Sequence, residues 1–362
     1  MSRRRASEDN EITLSYHNKR PRSGLTSYDR YTVAWMCALH IEMAAARAML
    51  DEEHDSPPKT DSNSYVLGTI QEQHVVVACL PASAYGTNNA AIVMSNLKRT
   101  FPNIDVCLMV GIGGGVPNKA DLRLGDVVVG TRVMQYDLGK TVNGELQRTG
   151  VYKHPGSSIL TVISNLRSRH ELKGSRVPAI LKNKMEEHAA YGLPTEPDRL
   201  FESSYKHPCP DFSCDECDQD RLEARKTRSS NDPVIYYGGI ASSNQVMKDA
   251  TCRDKIASEL DVLCFEMEAA GLMDIESCLP IRGICDYSDS HKAKGWQRYA
   301  AATAAAYAYE LLEVRGRDSR DVQADHPPTT GKYLPSHIRH RFIVVVSIHF
   351  ERLSCQASRI VN

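Results

Sequence analysis

Short apolar runs that lead directly into helical segments are the feature that most constrains how this chain can fold. "YTVAWMCAL" predicts a buried strand, and "IEMAAARAMLDEE" follows it at once with the spacing of a helix. "HVVVACLP" and "NNAAIVMSNLKRTFP" repeat this order. Strands that alternate with helices favour a layered α/β domain with a mostly parallel sheet.

The same pattern divides the chain into regions. "DVCLMVGIGGGVP" predicts a strand that runs into a glycine turn, "LGDVVVGTRVMQYD" a further strand, and "WQRYAAATAAAYAYELLE" a late helix. We therefore predict a disordered basic tail over 1–29, one domain over 30–314 with a polar insertion at 187–232, and an unassigned tail over 315–362 that contains "RFIVVVSIHFERL".

The composition excludes several classes of function. The chain has 44 Lys plus Arg against 45 Asp plus Glu, which argues against a nucleic-acid-binding protein. No apolar run is long enough for a membrane span or a secretion signal, so no membrane partner is expected. Cysteines within apolar runs are typical of an intracellular, cytoplasmic protein. "RRR" and "KRPR" fit either a nuclear-import signal or a solvated basic tail.

Candidate site residues cluster where predicted strands end. Gly111, Gly113 and Gly114 follow an apolar run, and glycine lets a backbone approach a ligand closely. Glu42 stands between the first strand and its helix, where it would either serve a site or cap the helix. Asp286 ends another apolar run, and a turn aspartate is the alternative.

The stretch "CFEMEAAGLMD" breaks an apolar run with Glu266 and Glu268. A carboxylate accepts two hydroxyl protons from a vicinal diol, and the methionine between them offers an apolar surface for a sugar ring. These features indicate recognition of a polyol, with capping of a helix as the alternative.

Together these residues resemble one family. "ALHIEMAA", "VGIGGGVPNKADLRLGDVVVG", "GGIASSNQVMKD", "FEMEAAGLMD" and "RGICDYSDSHK" occur in the order of the nucleoside phosphorylase and nucleosidase superfamily. The chain is most similar to the methylthioadenosine/S-adenosylhomocysteine nucleosidase branch, in its fungal version. The resemblance covers about Tyr31 to Glu313, without much of 187–232.

The resemblance implies a three-layer α/β/α sandwich around a mixed, partly barrel-like sheet, no cofactor, a homo-oligomer, and cleavage of the N-glycosidic bond of a purine nucleoside or nucleotide. By position, Asp286 matches the acid at purine N7 and Glu42 the glutamate that activates water. Glu268 matches the carboxylate that holds the ribose hydroxyls, and Met267 matches the methionine under the sugar. Glu266 is expected only to cap the start of the helix or to support the site from behind.

For the base, the block "SSNQVM" supplies Val246 and Met247, and Cys285 precedes the acid. The glycines at 111, 113 and 114 match the segment beside the nucleophile. Val246 stands where the branch has a stacking aromatic, and Ile112 and Cys285 replace serines, so the identity of the base stays open.

Three functions remain open. Hydrolysis is favoured because no arginine lies in the glycine segment and Glu42 would repel phosphate. The alternatives are a phosphorylase that uses inorganic phosphate as co-substrate and a sensor that binds a nucleoside or nucleotide without catalysis. A zinc site could also be formed by four residues close together in the sequence, His207, Cys209, Cys214 and Cys217, although they lack the usual gap between two pairs of ligands. We predict reduced loop cysteines without a metal, with a zinc site as the alternative.

Overall fold

The computed structural model describes residues 28–55, 61–208, 214–292 and 294–324, with side chains through residue 316. The predicted basic tail lies outside these ranges except for residues 28 and 29, and "RFIVVVSIHFERL" and Cys209 lie wholly outside them. The predicted domain boundaries therefore stay predictions.

The described residues form strands and helices that largely follow the predicted alternation. The strands are β1 (Val33–Cys37), β2 (Glu52–His54), β3 (Tyr65–Ile70), β4 (Gln73–Cys79), β5 (Val106–Gly115), β6 (Val127–Gln135), β7 (Gly139–Val142), β8 (Glu145–Arg148), β9 (Ile235–Ser242), β10 (Val262–Glu266) and β11 (Cys278–Asp286). The helices are α1 (His40–Met49), α2 (Thr87–Thr100), α3 (Ser157–Lys173), α4 (Val177–Met185), α5 (Ala250–Leu260), α6 (Ala269–Leu272) and α7 (Gln297–Ala324).

Nine of the strands form one mixed sheet in the order β10-β9-β6-β11-β5-β1-β4-β3-β2. An additional antiparallel pairing of β10 with β5, which sets Phe265 opposite Gly114, joins the first strand to the fifth. Strands β5, β11, β6, β9 and β10 therefore close into a ring, and β1, β4, β3 and β2 extend from it as an open sheet. The predicted partly barrel-like sheet is confirmed.

Helices cover both faces of the open half of the sheet. In β1, Val33 and Trp35 pack in a core with residues of α1, α3, α4 and α7, whereas Ala34 and Met36 pack in a second core with residues of α2. Since successive strand residues point to opposite faces, β1 is buried on both sides. This arrangement gives the three layers that the resemblance implies.

Two local predictions were wrong. The first helix was expected to include "DEE", but α1 ends at Met49, because Leu50 turns to extended backbone and residues 52–54 pair with β3. The glycines were expected to form a turn, but β5 continues to Gly115. Its register with β11 and β10 holds this stretch in the sheet.

The described part of the insertion at 187–232 has little regular structure. It forms three short 3-10 helices, at Ala189–Tyr191, Cys214–Glu216 and Gln219–Arg221, and one isolated bridge between Phe201 and Leu222. Among the described residues, no helix combines the length and the apolar character needed to cross a bilayer.

Candidate active site

The carboxyl ends of β1, β5, β9, β10 and β11 surround a cavity of about 230 Å³. Nearly all the predicted site residues line it: Glu42, Gly113, Gly114, Val246, Met247, Met267, Glu268, Cys285 and Asp286. The predicted carboxylates thus converge from separate strands on one space. Gly111 is the exception and lies behind the wall.

Glu42 is fixed at the start of α1 by its own backbone surroundings. Its Oε2 accepts the N–H groups of Ala38 (2.7 Å) and Leu39 (2.9 Å), and its Oε1 accepts that of Ile112 (2.8 Å). The carboxylate therefore caps α1, which is one of the two interpretations from the sequence, and it also lines the cavity. Burial raises the pKa of Glu42, although Arg282 and these hydrogen bonds oppose the shift.

Glu266 and Glu268 have different surroundings. Glu266 accepts the backbone N–H groups of Glu268 (3.1 Å) and Ala269 (3.0 Å), so it caps the four-residue helix α6, as predicted. Glu268 accepts the Gly86 N–H at a long distance, 3.4 Å, and its Oε2 lies 3.7 Å from the Arg282 guanidinium. Burial, and then the neighbouring Glu266 carboxylate, raise the pKa of Glu268 to about 7. Glu268 is the carboxylate that keeps hydrogen-bonding capacity for a ligand.

Arg282 is the buried residue that the sequence analysis missed. It lies in β11 with no exposed surface, and its guanidinium pairs with Glu266 and stands 3.7 Å from Glu268 Oε2. Burial by itself lowers the pKa of Arg282, but the carboxylates of Glu266, Glu268 and Glu42 outweigh it and raise that pKa. Its charge is thereby committed to three carboxylates.

Asp286 ends β11 and also lines the cavity. Its Oδ1 accepts the N–H of Ser288 (2.8 Å), and its Oδ2 accepts the Cys285 thiol (3.2 Å) and pairs with the Lys292 ammonium (3.0 Å). Burial lowers the pKa of Lys292, but the Asp286 carboxylate more than reverses this and raises it. Asp286 therefore forms an ion pair with Lys292, which was not predicted from the sequence.

The glycines of β5 make room for these groups. A Cβ on Gly114 would stand 2.0 Å from Ser288 Oγ and 2.8 Å from Asp286 Oδ1. A Cβ on Gly111 would stand 2.4 Å from Glu42 Oε1 and 2.7 Å from an Arg282 terminal nitrogen. Gly111 thus serves the cavity indirectly, because its lack of a side chain leaves room for Glu42 and Arg282.

The remaining wall is apolar and partly open. Val246 stands on the rim and is 53% exposed, so it offers a base little enclosed surface. Two aromatic side chains that the sequence analysis did not select, Phe265 and Tyr85, also line the cavity. Phe265 is buried at the seam of the ring, within the stretch already singled out for Glu266 and Glu268.

Relatives with known names match most of the described chain. The chain is 43% identical over 297 residues to a nucleotide-binding leucine-rich repeat (NLR)-like protein of Hyaloscypha variabilis. The matched region covers 78% of this chain and 29% of that protein. It is 24% identical over 292 residues to a 5'-methylthioadenosine/S-adenosylhomocysteine nucleosidase of Mycobacterium bovis (78% of this chain, 96% of that one). It is 25% identical over 293 residues to the ATP nucleosidase Cap17 of Escherichia coli (78% and 51%).

The chain therefore spans less than a third of the NLR-like protein and about half of Cap17. Solved structures with the same fold include a Neisseria meningitidis 5'-methylthioadenosine/S-adenosylhomocysteine nucleosidase in complex with methylthio-immucillin-A (TM-score 0.52, 18% identity, 78% of this chain and 98% of that one). Another is the futalosine hydrolase of Helicobacter pylori (TM-score 0.51, 14% identity, 78% and 98%).

The family model described as the phosphorylase superfamily matches residues 32–307, which include every residue of the cavity wall. This range is well over half of the chain, and the fold of the solved structures agrees with it. The chain therefore belongs to the phosphorylase superfamily, an enzyme family, as its sequence blocks predicted.

Proposed function

We propose that this chain hydrolyses the N-glycosidic bond of a purine nucleoside or nucleotide. The observation that carries the proposal is the convergence of Asp286, Glu268 and Glu42 on a single cavity. Cleavage of a ribosyl bond passes through an oxocarbenium-like state, which needs an acid at the leaving group, an anion near the sugar and an activated nucleophile. The three carboxylates supply one candidate for each task.

In this proposal Asp286 passes a proton to purine N7, so that the base does not depart as an anion. Since Asp286 and Lys292 form an ion pair, the proton that reaches N7 through the Asp286 carboxyl is supplied by the Lys292 ammonium, 3.0 Å away, which becomes a neutral amine. Cys285, which precedes the acid, donates its thiol hydrogen to the same carboxyl and lines the base end of the cavity.

At the other end, Glu268 accepts the ribose hydroxyls, and its negative charge stabilises the positive charge that develops on the sugar. Met267 and Phe265 supply apolar surface beside the ring. Glu42 takes a proton from the attacking water. Its two oxygens are held in place by backbone donors, so it is already oriented before a ligand binds.

The charges around the cavity favour water over phosphate. Arg282 is the arginine nearest to the glycines of β5, yet it is shared among carboxylates. Lys292 is the only cationic side chain among the described residues of the wall, and it is paired with Asp286. A phosphate dianion beside Glu42 would meet repulsion without a free charged donor. Hydrolysis requires no cofactor.

The named relatives widen the range of substrates worth testing. One is called a 5'-methylthioadenosine/S-adenosylhomocysteine nucleosidase and another an ATP nucleosidase, so both a 5'-thioether and a 5'-triphosphate must be tried. Val246 on the open rim gives no reason to restrict the base to adenine. We therefore propose a purine substrate without naming the base or the 5' substituent.

The test is a product assay with adenosine, inosine, guanosine, methylthioadenosine and ATP, each with and without inorganic phosphate. Free base together with the matching free sugar (ribose, 5-methylthioribose or ribose 5-triphosphate), formed equally in both conditions, supports hydrolysis. If the sugar 1-phosphate forms, and only when phosphate is present, the chain is a phosphorylase and the proposal of hydrolysis is wrong. Binding of a nucleoside or nucleotide, measured by calorimetry, without any free base would replace it by the sensor. The similarity to an NLR-like protein is what keeps the sensor in consideration.

Three further predictions belong with this proposal. The domain is expected to span 30–314, to form a homo-oligomer and to reside inside the cell, in the cytoplasm or nucleus. Light scattering after size-exclusion chromatography measures the number of subunits, and limited proteolysis followed by mass spectrometry locates the boundaries.

A further inference from the structure

Away from the cavity, the insertion brings three metal-ligating side chains together. The ligand atoms of His207, Cys214 and Cys217 lie within 4.8 Å of one another, and all three residues are buried. From the sequence, these residues were weighed as a zinc site together with Cys209, and reduced loop cysteines were preferred. We propose instead that they bind one zinc ion, which fastens the insertion to the segment that carries Lys292.

The chemistry of the three groups suits zinc. Two thiolates and a neutral imidazole are ligands that zinc prefers, and two negative thiolates balance the charge of Zn²⁺. A site with no net charge is compatible with a buried position. Ligand atoms that all lie within 4.8 Å of one another can reach one ion, at about 2.3 Å from sulfur and 2.0 Å from nitrogen, with little or no movement.

The local backbone holds the two cysteines in a tight turn. The Cys217 N–H donates to the Cys214 carbonyl at 3.2 Å, and the Gln219 amide donates to the carbonyls of Cys214 (3.2 Å) and Cys217 (2.7 Å). The turn therefore presents both thiols towards His207 without relying on the metal for its shape. Cys209 lies outside the described residues, and the proposal does not depend on it.

The described part of the insertion has only a small apolar core. In its described part, the buried apolar cluster consists of Phe201, Cys214 and Cys217. A segment without a sizeable core or regular sheet is commonly fastened by a metal or by disulfides. Since Cys214 and Cys217 are free thiols and a histidine joins them, a metal explains the grouping better than a disulfide.

His291 is a second buried group that points to the same place. Its ring lies 5.2 Å from that of His207 and stacks on Phe201 at 4.2 Å, and neither ring nitrogen has a hydrogen-bond partner among the described residues. The nearest acid, Asp289, has its Oδ2 3.8 Å from Nδ1, which is beyond hydrogen-bonding distance. His291 is therefore a candidate for the fourth ligand position.

The proposed ion would act on the proposed active site through one short segment. The His207 N–H donates to Ser290 Oγ at 2.9 Å, and Lys292 follows two residues later. A fixed His207 would thus restrict the segment that positions the Asp286–Lys292 pair. The metal would be structural, since its proposed ligands do not line the cavity.

Metal analysis of the full chain, freed of any affinity tag, tests the proposal. We expect about one zinc per chain by plasma mass spectrometry, because metal binding and folding of such a site are coupled. Cobalt substitution should give the visible bands of a tetrahedral site and a near-ultraviolet thiolate charge-transfer band. Chelation should lower the melting temperature, and added zinc should restore it.

The matched variants are Cys214→Ser/Cys217→Ser and the control Cys252→Ser, whose thiol is exposed and outside the cluster. The double variant should lose the metal and the cobalt bands, and the control should keep both. If the double variant fails to fold, the metal content and cobalt spectrum of the native chain still decide the question. Zinc below about 0.1 per chain after refolding with zinc, no cobalt spectrum, or a Cys214–Cys217 disulfide found by mass spectrometry would each overturn the proposal.

Discussion

The guanidinium of Arg282 and the carboxylate of Glu266 form an ion pair in which both side chains are only 1% exposed. One strand of the closed ring, β11, supplies the arginine, and another, β10, supplies the glutamate. A buried charge without a partner is costly, so each residue depends on the other. The pair supports the site indirectly, since Glu266 also caps the helix that follows Glu268.

Replacing either member of this pair should destabilise the fold. We expect Arg282→Met to lower the free energy of unfolding by about 3–5 kcal/mol, because it leaves Glu266 buried without a counter-charge. The double variant Glu266→Gln/Arg282→Met should lose less than the sum of the single losses, by about 0.5–3 kcal/mol. Urea denaturation of the four proteins measures this coupling, and additive losses would show that the pair does not act as a unit.

Asp286→Asn should remove the proposed acid while the fold remains. Loss of a general acid costs about 10²–10⁴ in kcat, and steady-state release of free base measures it. Asp289→Asn is the control, because Asp289 is buried in the same turn but does not line the cavity. A rate for Asp286→Asn within a few-fold of the native rate would remove Asp286 from the mechanism.

Glu42→Gln should block the reaction with water. The amide cannot take a proton from water, and its NH₂ group would face at least one backbone N–H that the carboxylate now accepts. We expect kcat to fall by about 10²–10⁴ and phosphate not to restore it. Glu53→Gln, at a half-exposed carboxylate, is the control. Recovery of turnover by phosphate would favour the phosphorylase instead.

Glu268 should set the acid limb of the pH profile. Its pKa is raised to about 7 by burial and by Glu266, and the ionised form is the one that stabilises the ribosyl cation. Above pH 7 the carboxylate is charged, so kcat/KM should be high there and fall as the pH drops through about 7. A profile that stays flat down to the ordinary range of a glutamate, near 4.5, would contradict this assignment.

The same shift predicts how stability depends on pH. Because the folded-state pKa of Glu268 lies above the unfolded one, its contribution to stability is fully present below about 4.5 and is lost as the pH rises through about 7. Glu268→Gln should therefore gain stability relative to the native chain between pH 5 and pH 8, by at most about 3 kcal/mol. Thermal unfolding of both proteins at the two pH values measures the difference, and an equal offset at both would contradict it.

Gly114→Ala should impair turnover through steric displacement. The new Cβ would approach Ser288 Oγ and Asp286 Oδ1 to 2.0 and 2.8 Å, so the acid must move. We expect kcat to fall by at least about 100-fold, since small misplacements of catalytic groups cost that much. Gly156→Ala, whose Cβ meets nothing closer than 3.9 Å, should behave normally. Equal rates for the two variants would show that the fit at Gly114 is not needed.

From the sequence, the acids that line the cavity could be located better than the buried groups around them. Asp286, Glu42 and Glu268 could be chosen because acids at strand ends are visible in an apolar pattern. Arg282 was missed although it interrupts the apolar run "LPIRGICD" in the same way. An arginine there requires a buried counter-charge, but its partner is sixteen residues away and reaches it only across the closed ring. The arginine was visible in the sequence, but its pairing with Glu266 could not be predicted because the two residues are not neighbours along the chain.

His207 in the insertion and His291 in the segment after β11 illustrate the same limit. His207 and His291 are far apart in sequence and polar in character, and nothing in the local pattern joins them. Folding brings their rings within 5.2 Å, through contacts of Phe201 and Ser290 that depend on tertiary packing. The prediction of a turn at the glycines of β5 was wrong for a related reason. These residues form a strand only because they pair with β11 and β10, which lie far away along the chain.

Closure of the ring at Cys264–Gly115 and Phe265–Gly114 has a consequence for refolding. These residue pairs join segments about 150 positions apart along the chain, and Glu268 and the glycines belong to opposite sides of that seam. A chain that has formed all its helices and the open half of the sheet would still lack the cavity. Recovery of catalytic turnover should therefore lag behind recovery of helical circular dichroism.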